Sequence, residues 1–206
     1  MKKYELTEET KVIGGKTLFR IRALRSFGDI KAGDLGGFIE NERNLSHEDN
    51  AWVSGNAKVI DNARVSDNAL VIDNARVSGE AWVDGNARVS GYALVIDNAR
   101  VSGYAKVGGK AIVGGEAWVS GEAQVSDDGL INSNNDYLYE KGLGSHNRPA
   151  SFFKCKDRHI HVLCGCFDGN LDEFENKVKE EHGNSKYAKE YLGFIEVVKT
   201  HFEVCQ

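Results

Sequence analysis

Residues 71–101 read VIDNARVSGEAWVDGNARVSGYALVIDNARV. Valine stands at every sixth position of this stretch, and the series runs on in both directions, from Val53 to Val125, thirteen times without a slip. Alanine keeps the same step from Ala51 to Ala123. An Ala and the Val that follows it are two residues apart, so in an extended strand they share one face, and the residues flanking Val share the other. Two residues after each Val comes Gly or Asp, often followed by Asn, a pair tolerant of left-handed backbone angles and suited to a bend. A short strand, a bend and a fresh strand leave no room for a hairpin loop, so the unit reads as one turn element of a solenoid.

Working outward, Ile39 and Leu45 continue the alanine series backwards, and the stretch LGGFIENERNLSHED is expected to form an irregular first coil. Solenoid ends must be covered or polar to stay soluble. Residues 1–34 suit that role: KVIGGKTLFRIRAL reads as a hairpin turning at Gly14-Gly15. The repeat domain is taken as residues 35–132. The polar stretch that follows, with Pro149 as the chain's one proline, is expected to be a linker over 133–150. Residues 151–206 read β-β-α-α: SFFKCK and HIHVLCGCF are strands around Asp157-Arg158, Asn170 with Glu173 is a capping box for one helix ended by Gly183, and Ser185 caps a second.

The hexad pattern resembles the hexapeptide repeat of left-handed parallel β-helices, in which three hexapeptides close one triangular coil and the aliphatic position points inward. The expected fold is therefore mainly β: a left-handed parallel β-helix with an N-terminal β cap and a small C-terminal ββαα domain. Through GLGSHN, VLCGCFDGNLDEF and KYAKEY, the C-terminal part resembles a small domain of uncharacterised phage and prophage proteins, which implies a mobile-element setting and no chemistry. The best-known enzymes of the hexapeptide family are acyltransferases that bind coenzyme A between subunits of a trimer and use a histidine base. Here no histidine occurs between residues 48 and 145, and the unbroken register leaves no room for an extruded loop. No catalytic residue is expected, and a coenzyme A acyltransferase is the outlying alternative. The resemblance favours a homotrimer.

With three hexads per coil, as in that family, the residues preceding Val stack in three columns. One reads Arg64, Trp82, Arg100, Trp118, in which guanidinium planes and indoles either stack on one another or hold an anionic planar ligand such as a nucleotide. Another face carries Ile60, Leu94, Ile96, Ile112 and Leu130, aliphatics that mark a contact with a second subunit or with a flanking part of the chain. In the small domain the loop Ser145-His146-Asn147-Arg148 gathers four polar groups and is a candidate anion site, over the start of the helix at Leu171 or an adjacent groove.

Cys155, His159, His161, Cys164 and Cys166 fall within twelve residues, a spacing that suggests a metal. Strand parity opposes it: Ile160, Val162, Cys164 and Cys166 take one face while His159, His161 and Leu163 take the other. No metal and no cofactor are expected, and the cysteines are read as buried apolar groups. The four cysteines, Cys205 included, are expected to be reduced thiols. A net charge of -5 without a basic run makes nucleic acid an unlikely partner. No apolar stretch is long enough for a signal peptide or a membrane span, so a cytoplasmic protein is expected. The resulting expectation is a non-catalytic scaffold of phage or prophage type that presents flat faces to a host protein partner. An alternative is an inhibitor or sponge for a host protein or nucleotide signal.

Overall fold

A computed structural model of the chain describes residues 2–203; Cys205 lies outside the described residues. The valine register dictates the architecture. Fourteen two-residue strands, β4 (Trp52–Val53) to β17 (Leu130–Ile131), follow one another at six-residue steps and pair in parallel with the strand three units on, as Arg64 does with Trp82. One coil is thus three hexads, wound around three flat faces. Every Val and Ala of the repeat points into the lumen and is essentially without solvent exposure, which makes one continuous aliphatic core. Ile131 takes the valine position once more, paired with Val113.

The corner after each Val has a positive φ, and the sequence meets it in two ways. Asp61 (φ 64) and Asp97 (φ 59) adopt it and accept a hydrogen bond from the N–H one coil ahead, of Gly79 (3.0 Å) and Gly115 (3.2 Å). Gly79 (φ 75) adopts it because no side chain fits: a Cβ there would lie 2.8 Å from the backbone N and O of Asp97.

The N-terminal cap is the expected hairpin, β1 (Tyr4–Ile13) and β2 (Lys16–Ala23), turning at Gly14 and Gly15. It pairs through β3 (Leu35–Ile39) into the first face of the solenoid. The first coil is irregular in a definite way. Ile39 pairs with Val59 and Leu45 bridges Val65, in each case two positions beyond what three hexads would reach. Both therefore occupy valine positions and not the alanine positions that simple counting by six assigns them. The two extra residues lie between Leu45 and Val53, which are eight positions apart and not six, in the stretch 46–50.

Outside the strand pairs themselves, the inter-coil backbone bonds run from N–H to the carbonyl of the following coil, as in Lys58 to Ala75 and Arg64 to Ala81, both 2.9 Å. The stack therefore starts mostly on carbonyls and ends mostly on N–H groups, with the Trp118 carbonyl of the last coil accepting from the Tyr137 hydroxyl (2.6 Å). Donors cover the start: Lys3 Nζ gives bonds to the carbonyls of Glu48 (3.0 Å) and Ala51 (2.8 Å), Tyr4 to those of Glu42 and Leu45, and the buried Asn44 amide to those of Asp61 and Ala63. Acceptors cover the finish: Asn134 Oδ1 takes the Trp118 N–H (2.7 Å) and Ser151 Oγ the Gln124 N–H (2.8 Å). Side chains thus meet edge groups at both ends of the solenoid, beside the backbone pairing of β3 at the start and the Gly129–Cys155 bridge at the finish.

The stretch expected as a linker over 133–150 is instead a hairpin arm. β18 (Tyr137–Leu143) pairs with β19 (Arg148–Lys154), and β20 (Ile160–Cys164) and β21 (Phe167–Asn170) complete an antiparallel sheet of four strands, not two. Period-two alternation in Tyr137-Leu138-Tyr139 explains the strand: Leu138 packs into the small-domain core, and both tyrosines pack against the solenoid core. β19 alternates likewise, with Ala150 and Phe152 facing the small domain and Phe153 and Cys155 closing the end of the solenoid. Helices α1 (Leu171–His182) and α2 (Lys186–His201) cover the sheet, with the expected caps in place: the Asn170/Glu173 box, Gly183 and Ser185. No helix among the described residues is long and apolar enough to cross a membrane.

Candidate functional site

The Arg–Trp column exists as a stacked unit. Arg64 lies over the Trp82 ring at 5.5 Å, and Arg100 lies between Trp82 (5.7 Å) and Trp118 (5.3 Å). Parallel register at a step of one whole coil creates it, because it sets each side chain directly over the same position of the next coil. Arg100 also pairs with Asp84 at 2.6 Å, and Trp118 Nε1 donates to Ser102 Oγ at 2.8 Å. The guanidinium charge of Arg100 is thus already matched within the face. Trp82 and Trp118 remain 44% and 49% exposed, and Tyr104, at the corner beside them, 64%.

The aliphatic residues divide. Ile60 is buried against Leu18 and Phe38, covered by the chain's own N-terminal hairpin. Leu94, Ile96, Ile112 and Leu130, farther along the same face, are half-buried.

Ser145, His146 and Arg148 border a groove of about 310 Å³ with Cys164, Lys177 and His182. The loop is the β18–β19 hairpin turn, and it lies against the body of α1 instead of its first turn. At that first turn the Glu173 N–H is taken by Asn170 (2.9 Å) and the Asn170 N–H by Glu173 (3.0 Å). Asn147 holds the left-handed turn position (φ 48) and does not border the groove. Arg148 packs on Gly165, where a Cβ would meet its Nη1 at 2.5 Å. Burial pushes the Cys164 thiol up, while Tyr191 and Arg148 pull it down. Cys166, expected on the buried face, is exposed because β20 ends at Cys164 and Gly165 (φ 64) turns the chain.

The seam between solenoid and small domain carries the densest set of donor groups. Parity holds on β20: Ile160, Val162 and Cys164 enter the small-domain core, while His161 faces the solenoid. Cys155 comes from the neighbouring strand, however, on the same side as the imidazoles. The β19–β20 register sets Phe153 opposite His161, and the Cys155 N–H bonds the His159 carbonyl at 3.0 Å. Ligand atoms of Cys155, His159 and His161 all lie within 4.8 Å of one another, as do those of Asp127, His161 and Asp168. His161 Nε2 is 2.7 Å from Asp168 and 3.5 Å from Asp127; His159 Nδ1 is 2.5 Å from Asp157. Burial first, and then the Asp157 and Asp127 carboxylates, pushes the Cys155 thiol up to about 12. The register depends on the turn's centre: a hairpin centred on Asp157 places 155 across from 159 and 153 across from 161, whereas one centred between Asp157 and Arg158 sets 155 across from 160, and parity along a single strand considers only one of the two partners.

A family model described as the YdcK beta solenoid repeat matches residues 63–79, just under one coil. No curated protein matches the chain.

Proposed function

We propose that this chain is a non-catalytic scaffold whose Arg–Trp face docks a protein partner. The supporting observation is the exposure of Trp82 and Trp118 on a flat four-stranded face, with Arg100 stacked between them and Arg64 on the other side of Trp82. Trp, Tyr and Arg are the residues that concentrate binding energy at interfaces. Held in a column, they lose little rotamer freedom on binding. The half-buried strip of Leu94, Ile96, Ile112 and Leu130 serves self-association, as a trimer in keeping with the hexapeptide family. The phage and prophage resemblance makes a host cytoplasmic protein the partner class.

The internal pairing of Arg100 with Asp84 weighs against the second reading, a nucleotide held on the same column. Capture from host lysate tests the choice, with Trp82→Ala/Trp118→Ala as the paired bait. A protein retained by the natural chain and lost by the double variant is expected. An identical set on both baits overturns the Arg–Trp face as the docking surface. A rise in melting temperature with nucleotides, absent from the variant, moves the assignment to the sponge reading, and a rise with coenzyme A moves it to the acyltransferase alternative.

A further inference from the structure

We infer that Cys155, His159 and His161 form a binding site for a divalent transition-metal ion of the zinc class, at the seam where the small domain closes the solenoid. The three come together from two strand ends across one hairpin, with ligand atoms within 4.8 Å of one another. Cys155 is 4% exposed and His161 9%, so a metal held there would be shielded, while the half-exposed His159 faces a cleft of about 700 Å³ that gives an ion a way in. One sulfur and two imidazole nitrogens make a borderline-soft donor set; it suits zinc and disfavours magnesium and calcium, which take oxygen.

A second feature points the same way. Each imidazole already has a carboxylate on one ring nitrogen, Asp157 on His159 at 2.5 Å and Asp168 on His161 at 2.7 Å. Outer carboxylates of this kind orient metal-binding histidines and raise their basicity. Asp127, from the last corner of the solenoid, lies 3.5 Å from the same ring nitrogen of His161 as Asp168, so it joins that outer contact and leaves the other ring nitrogen to the ion. The cleft rim is acidic as well, with Asp128, Asp172 and Glu173 against Arg158. Binding would exchange the thiol proton of Cys155 for the ion, with the proton leaving to solvent. The ion would join β19, β20 and the last coil, a staple between the two parts of the chain.

The full chain, stripped with chelator, is titrated with Zn²⁺ and with Co²⁺ as a spectroscopic stand-in. Expected are one equivalent bound, the visible bands of tetrahedral Co²⁺ and a thiolate-to-metal charge-transfer band. Cys155→Ser should abolish the charge-transfer band, and His159→Ala, at a half-exposed position that folding does not depend on, should weaken binding about tenfold or more. A chain with Cys164, Cys166 and Cys205 all replaced by Ser should keep the band. Zn²⁺ should raise the melting temperature of the natural chain and not that of His159→Ala. Absence of stoichiometric binding, a charge-transfer band that survives Cys155→Ser, or equal competition by Mg²⁺ overturns the site.

Discussion

Arg76 and Val77 are adjacent in the chain and opposite in environment: Val77 has no solvent exposure, while Arg76 lies on the outer surface of the same strand. Val77→Asp buries an unpaired charge and should cost several kcal/mol, roughly 3 or more. Arg76→Ala should cost under about 1 kcal/mol. Equal denaturation midpoints would refute the inward assignment. That assignment was legible because a six-residue step combined with two-residue parity leaves one inward set. The corners were legible as turn chemistry but not as contacts, since the approach of one coil to the next depends on closure after three hexads. Gly14 and Gly79 separate the two effects: both have positive φ, but a Cβ at Gly14 meets nothing within 4 Å, whereas at Gly79 it meets Asp97 backbone. Gly14→Ala should therefore cost about 1 kcal/mol from backbone strain alone, and Gly79→Ala about 1–3 kcal/mol more. Similar losses for the two in urea melts would mean that the coils can move apart at little cost.

Among the elements, the helices and their caps were readable because a capping box is a local signal, complete within four residues. β18 was not, because its alternation lies inside a polar stretch and its partner follows only after a turn. The offset of Ile39 and Leu45 was equally hidden, since two residues added between Leu45 and Val53 leave both in step with the alanine series. The N-terminal cap carries its own test. Burial, reinforced by Arg25, lowers the Lys3 pKa from 10.5 to about 8. Between those values the unfolded chain holds a proton that the folded chain has released. Stability gained through Lys3 is therefore complete above pH 10.5, falls as pH drops towards 8, and is level below it. Measured against Lys3→Met, which has no such group, the natural chain should gain stability as pH rises from 8 to 10.5. A difference between the two that stays constant with pH would show that the ammonium titrates as it does in water.

At the scale of the molecule, the solenoid, its two caps and the order of the parts were legible, and the seam was not, because it brings Asp127 to Asp168 across the three hairpin reversals of the small-domain sheet. The aliphatic strip makes a prediction here. Light scattering should give a mass above the monomer, lowered by Ile96→Glu and by Ile112→Glu; a monomeric natural chain would assign the strip to the solenoid's own surface. The shared register of the hexads has another result, which concerns length. Because each inner coil meets its neighbours through the same valines, alanines and corner bonds, the number of coils is not fixed by either end, and the solenoid acts as a spacer of adjustable length, about 4.8 Å per coil. Duplicating the whole coil 77–94 should move the small domain outward by that amount in the same orientation. Duplicating the single hexad 77–82 should leave the core intact and turn the small domain to the next face. Spin labels at Gly14 and Gly183 would measure both changes, and loss of folding in the whole-coil duplication would show that the caps, and not the repeats, set the length.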